Sequence, residues 1–354
     1  MDYNEFLRQP PYGWSQQQKE EIYTPLFKKL TAHHRQHCPS YDKALQTFGY
    51  KAASRLVDIP MLPISLFKTY SLKSIPDNQI FKTLVSSGTT GQQVSHIYLD
   101  ATTAQNQQLT LYTIIKDFLG PNRLPMLIID SPSVFRDREQ FNARGAAILG
   151  FSMFANRKTY ALTDTLEPNI EAIQQFAETY EGKPILIFGF TFMIWHYFCQ
   201  ALSKKNISFS FPNAFVLHGG GWKKMQDQAV SPKEYKKRLQ SQFQITQVHN
   251  YYGMAEQTGC IYMECEYGHL HASIFSDIII RNPRDFSVCP PGKTGIVQVL
   301  SPNTLSYPGH SILTEDLGMI IGIDDCPCGR KGKYFHIMGR IPKAEIRGCS
   351  DTHA

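Results

Sequence analysis

The chain has 354 residues, which at about 150 residues per domain predicts two domains, or one large domain with a lobe, and a sizeable buried core. Its 42% hydrophobic, 12% aromatic and 19% charged residues exclude disordered, collagen-like and membrane classes. The 36 Lys and Arg against 30 Asp and Glu give a net charge of +6 without a dense basic block, which suits an anionic substrate but does not argue for nucleic acid, and no nucleic-acid partner is expected.

Met1 to Glu20 mixes Glu, Gln, Lys and Arg with no apolar core, so no secretory signal is predicted and the expected location is the cytoplasm. Residues 1–80 read as the helical N-terminal part of the main domain. Within it, Glu20 to His34 spaces apolar groups by three and four around Pro25, and Ile59 to Pro63 is an extended link. From 81 to 268 short apolar runs alternate with helical stretches. Phe81–Val85, Pro125–Asp130, Pro184–Gly189 and Ala214–His218 are predicted strands, and Ile170–Tyr180 and Thr191–Lys204 predicted helices. This alternation predicts an α/β core whose mixed or parallel sheets are covered by helices. Ile185 to Cys199 is too short for the ~20 residues of a membrane span and contains His196, so no integral membrane association is expected. Residues 269–340 change texture to strand-like pieces such as Ser276–Arg281 and Gly295–Leu300 and read as a β-rich lobe. Residues 341–354 form a tail.

Five segments carry chemistry. Ser86-Ser87-Gly88-Thr89-Thr90-Gly91-Gln92 follows a predicted strand, and its glycines and hydroxyls suit a phosphate cradle, although no Lys follows Gly91 as in a Walker loop. Gly219-Gly220-Gly221-Trp222 ends a predicted strand, where glycines admit a flat ring or a phosphate. Tyr251-Tyr252-Gly253-Met254-Ala255-Glu256 puts an aromatic face beside a carboxylate, a pairing suited to a base and a magnesium ion. Leu313-Thr314-Glu315-Asp316 offers an acid for a ribose diol, and Gly339-Arg340 follows.

With these motifs in this order, the chain resembles the adenylate-forming superfamily over nearly its whole length. The phenylacetate-CoA-ligase branch is near in texture. Ile64–Lys68, Arg123–Asp130, Ala143–Ser152, His218–Trp222 and Ala344–Cys349 are more similar still to the acyl-protein synthetases of bacterial luminescence fatty acid reductase complexes. The resemblance implies activation of a fatty acid by ATP and magnesium to acyl-AMP. Ser86, Ser87, Gly88, Thr89, Thr90 and Gly91 would then lie at the phosphates, with Gly219, Gly220, Gly221 and Gly253 at the nucleotide. Tyr252 would face adenine, Glu256 would hold magnesium, and Asp316 and Arg340 would hold the ribose. Phe188, Phe190 and Trp195 are nominated for the acyl chain.

Three departures from the superfamily pattern are the missing loop Lys, Ala255 in place of a hydroxyl residue, and a chain that ends fourteen residues after Arg340. The superfamily's mobile C-terminal domain is therefore expected to be absent. That expectation favours transfer of the acyl group to the enzyme's own Cys349, and then to an acyl-CoA-reductase-type partner in a complex. The alternatives are an acyl- or aryl-CoA ligase, a synthetase loading an external carrier or amine, or a non-catalytic nucleotide-fold scaffold that binds a reductase.

Eight cysteines in a chain without a signal point to thiols or metal ligands. Cys265, His271, Cys326 and Cys328 form the ligand set of a structural zinc site, with His269 as the competing imidazole and buried inert thiols as the alternative.

Overall fold

The computed structural model describes residues 3–86, 94–135, 143–222 and 228–341, which form two compact units, one of residues 3–118 and 253–341 and the other of residues 119–252. Among the described residues no helix is long and apolar enough to cross a membrane.

The second unit is an α/β layer. Its five strands lie parallel in the order Ala155–Tyr160, Leu124–Ile128, Ile185–Phe190, Ala214–Gly219 and Gln247–Tyr252. Ile185–Phe190 and Ala214–Gly219 are buried at every position, the mark of strands covered on both faces. Ile170–Thr179 starts where the Asn169 side chain accepts from the Ala172 N–H, and it turns Ile173 and Phe176 into the core. Pro232–Phe243 begins at the Ser231 cap with Pro at its first position, and Tyr235, Leu239 and Phe243 recur every four residues on its buried side. The segment after strand Ile185–Phe190 winds as a π-helix over Met193–Gln200 before a short α-turn, Ala201–Lys204. Leu127, Ile187, Val216, Phe198 and Phe243 belong to one apolar cluster that fills this unit.

The first unit is antiparallel. Asp277–Arg281, Gly295–Leu300, Ser311–Ile323, Lys333–Arg340, Leu270–His271 and Tyr262–Glu264 pair in that order, and Leu62–Pro63 adds in parallel beside Ile312 and Leu313. The α-helix Gln16–His37 opens with a capping box, Ser15 to Gln18, and contains Pro25. It is held to the sheet region by polar contacts. Buried Lys19 donates to the carbonyls of Ala272, Ser273 and Ser276, Tyr23 donates to Ile274, and Gln16 donates to Asp277. Asp277 also takes the Lys333 ammonium at 3.0 Å, so its buried charge is paired. A separate antiparallel ribbon, Lys82–Val85 with His96–Leu99, leads into and out of residues 87–93.

Candidate functional site

In the second unit the strand Ala214–Gly219 runs into Gly220 and Gly221 at its carboxyl end, where parallel sheets place ligands. Gly220 has a φ of 71°, left-handed backbone that glycine tolerates best. Gly219 lies under the Tyr251 ring so closely that an added Cβ would stand 2.4 Å from Tyr251 Cε1. The Thr191 hydroxyl donates to the Gly220 carbonyl at 2.7 Å. It lies 2.9 Å from His218 Nδ1, which must then carry the ring proton. Burial holds the His218 imidazole down at about 3, hence neutral. Tyr252 is fully buried at the end of its strand, and Gly253 links it to the turn Ala255–Gln257.

In the first unit that turn carries Glu256, only 1% exposed. Ser95 Oγ donates to Glu256 Oε1 at 2.7 Å, Tyr307 donates to the Glu256 carbonyl, and the neighbouring Gln257 amide donates to Gly309. Ser86 directly follows the strand Lys82–Val85. Ser87, Gly88, Thr89, Thr90 and Gly91, and likewise Cys349, lie outside the described residues.

Asp316 and Arg340 are register partners on adjoining strands. Arg340 Nε lies 3.4 Å from Asp316 Oδ1, and its Nη2 bonds Glu315 Oε2 at 2.8 Å. Sequence reasoning nominated the first pair and missed Glu315, which stands beside Asp316 in the same motif. It also missed Thr191 and Ser95, single hydroxyl residues with no spacing signal. Phe188 packs on Phe151, with ring centroids 4.6 Å apart, whereas Phe190 and Trp195 belong to the main cluster, and Trp195 meets Trp222 and Tyr235. The three nominated apolar residues are all buried.

Cys265, His271, Cys326 and Cys328 bring one donor atom each to within 4.8 Å of one another. The Cys265–Cys326 and Cys326–Cys328 sulfur separations are 4.0 and 3.3 Å, and Cys328 Sγ lies 3.4 Å from His271 Nε2. A tetrahedral ion with arms of about 2.3 Å asks for donor separations of about 3.8 Å, so this donor set fits zinc. His269 Nδ1 lies 3.4 Å from Cys326 Sγ, at the edge of the group. The Arg330 guanidinium stacks 4.1 Å from the Phe118 ring and pairs with Asp117 and Glu266 close by.

This is the fold of an adenylate-forming ligase. Solved structures of 2-hydroxyisobutyryl-CoA ligase share it. An open conformation in complex with 2-HIB-AMP and CoA superposes with a TM-score of 0.68 at 15% identity, covering 97% of this chain and 81% of that one. The postadenylation state with R3-HIB-AMP gives 0.65 at 14% identity, covering 96% and 73%. The chain belongs to the acyl-protein synthetase, LuxE family, whose profile matches residues 3–354, and it is a ligase. Similar proteins include the long-chain-fatty-acid–luciferin-component ligases of Vibrio harveyi and Aliivibrio fischeri. The first is 21% identical, covering 96% of this chain and 89% of the relative, and the second is 22% identical, covering 96% and 90%.

Proposed function

We propose that the protein activates a fatty acid with ATP to acyl-AMP and then takes the acyl group onto its own Cys349 as a thioester, for delivery to an acyl-CoA-reductase-type partner in the cytoplasm. The observation that carries this reading is the family match over residues 3–354, which takes in both the Asp316–Arg340 pair and Cys349. The names of the Vibrio harveyi and Aliivibrio fischeri relatives supply the substrate class, a long-chain fatty acid.

In the first step a carboxylate oxygen attacks the α-phosphorus of ATP, the bond to pyrophosphate breaks, and the mixed anhydride forms. Catalysis of such a step is positioning and charge neutralisation. Asp316 is suited to accept hydrogen bonds from the ribose diol, with Arg340 beside it. Glu256 supplies a fixed carboxylate oxygen of the kind magnesium takes together with substrate phosphates. When bound, that ion neutralises phosphate charge. Ser86, Ser87, Gly88, Thr89, Thr90 and Gly91, with Gly219, Gly220, Gly221 and Gly253, are the proposed nucleotide contacts. Tyr252 is proposed for adenine, and Phe188, Phe190 and Trp195 for the acyl chain.

In the second step the Cys349 thiol gives its proton to solvent and its sulfur attacks the acyl carbonyl. The bond to AMP breaks, leaving the thioester and AMP. Arg347, two positions earlier, favours the thiolate. Cys265, His271, Cys326 and Cys328 are proposed to hold a structural zinc that clamps their strands and loops without entering the chemistry.

Intact-protein mass spectrometry after incubation with ATP, magnesium and fatty acids of graded length tests the reading. The expected result is one added acyl group, labile to hydroxylamine and mapping to Cys349. Cys349→Ser should release pyrophosphate without forming acyl-protein. A full yield of acyl-protein from that variant would overturn the role of Cys349, and consumption of CoA in place of self-acylation would move the reading to a CoA ligase.

A further inference from the structure

We infer that Ser95 is a positioning residue, tying the neck of the Ser/Thr/Gly segment to the Glu256 carboxylate and so fixing the orientation in which that carboxylate meets magnesium. The inference rests on the nucleotide reading above and extends it to a residue outside every motif.

Three bonds carry it. The ribbon Lys82–Val85 with His96–Leu99 ends in the pair Val85 and His96, and the next two residues, Ser86 and Ser95, continue it. The Ser86 N–H donates to the Ser95 carbonyl at 3.0 Å, and the Ser95 N–H donates to Ser86 Oγ at 2.8 Å. Ser86 and Ser95 therefore form one closed, doubly bonded pair. The third bond runs from that pair to the other motif, Ser95 Oγ to Glu256 Oε1 at 2.7 Å. A hydroxyl has one proton and an ionised carboxylate only accepts, so the direction of this bond is settled by its chemistry. Both side chains are buried, at 0% and 1% exposure, where a hydrogen bond to a charged group is stronger than in water.

The backbone of the Glu256 turn is held separately, by Tyr307 on its carbonyl and by the Gln257 amide on Gly309. Removing the Ser95 hydroxyl therefore acts on the carboxylate and not on the course of the chain. Ser95 meets Ser86 through its backbone N–H and carbonyl and Glu256 through its hydroxyl, so one residue joins the Glu256 carboxylate to Ser86.

The test is ATP–pyrophosphate exchange by the full chain, titrated with Mg²⁺ at saturating ATP and fatty acid, for wild type, Ser95→Ala, Ser95→Thr and Glu256→Gln. Ser95→Ala should raise the Mg²⁺ concentration for half-maximal rate by about tenfold to a hundredfold, the range a hydrogen bond to a charged group carries. Excess Mg²⁺ should restore its rate, and Ser95→Thr, which keeps the hydroxyl, should stay near wild type. Where the alanine variant does not fold, Ser95→Cys fills the same space with a weaker donor and is read the same way. An unchanged Mg²⁺ dependence, or a loss that excess Mg²⁺ does not restore, overturns the inference. If Glu256→Gln is inactive while Ser95→Ala matches wild type, this inference alone falls. If wild type shows no exchange, or Glu256→Gln is fully active, the nucleotide reading falls and takes this one with it.

Discussion

Acid should destabilise the first unit through two stacked histidines, and His310→Gln should relieve part of that loss. His34 and His310 are buried with ring centroids 5.0 Å apart. Their described neighbours are Thr31 and Tyr41 on His310 Nε2, Ser74 on His34 Nδ1, the Phe27 ring, and His33 on the same helix. None of these neighbours is an acid. Burial depresses His310 to about 3 and His34 well below the ordinary value, with His310, His33 and His37 adding to the effect at His34. A depressed folded value means that the unfolded chain binds more protons. Stability is thus fully present above the unfolded value of about 6.5 and is lost as pH falls from there towards about 3. Between pH 7 and pH 5.5 the integrated loss is about 1.2 kcal/mol for His310, and His34, lowered in the same direction, adds to it. Urea denaturation of wild type and His310→Gln at both pH values measures it. The variant's own cost cancels in the difference between pH values, and the variant should lose about 1.2 kcal/mol less than wild type on acidification. Equal losses would refute the argument.

Gly219→Ala places a methyl 2.4 Å from Tyr251 Cε1, so the ring must shift at the end of the strand that carries the glycine turn. Stability should fall by about 1–3 kcal/mol and the KM for ATP in pyrophosphate exchange should rise about tenfold or more, whereas a wild-type KM would remove the turn from the nucleotide site. Elemental analysis of protein purified without chelator should find close to one zinc per chain, and Cys328→Ser should lose the metal and unfold at a markedly lower temperature. Metal-free wild type with the same melting temperature as the variant would return the four side chains to the role of inert core.

Several sheet strands were legible because apolar runs bounded by Pro and Gly leave few other solutions, whereas the helices Ala101–Leu119 and Pro232–Phe243 and the strands Ala155–Tyr160 and Gln247–Tyr252 were not singled out. Pro184–Gly189 and Ala214–His218 are such runs, and the structure has strands Ile185–Phe190 and Ala214–Gly219 there. The same property hides function. A strand or helix buried on every side looks alike whether its aromatics line a pocket or a core, so the setting of Phe188 on its strand against Phe151 and of Trp195 on the helical segment Met193–Gln200 against Trp222 and Tyr235 was not legible in sequence. The choice of imidazole was ambiguous for a geometric reason. His269 and His271 are two positions apart along an extended segment and so point to the same side, and both reach a cysteine sulfur at 3.4 Å.

Pairing across the chain is the information that a single sequence withholds. Asp316 and Arg340 were each visible as motif residues, yet their meeting depends on the register of two long strands that shifts at Leu317 and Gly318. Glu315 then becomes part of the arrangement because Arg340 has two acids within reach and not one. Ser95 is the extreme case. It meets Glu256 across 161 positions, in a contact made by one hydroxyl, and a serine two residues past a glycine-rich segment carries no periodicity or spacing that would single it out. Motifs mark the groups that touch a ligand. The residues that aim those groups are chosen by the fold, which is why a magnesium titration of Ser95→Ala reads something that no motif comparison can.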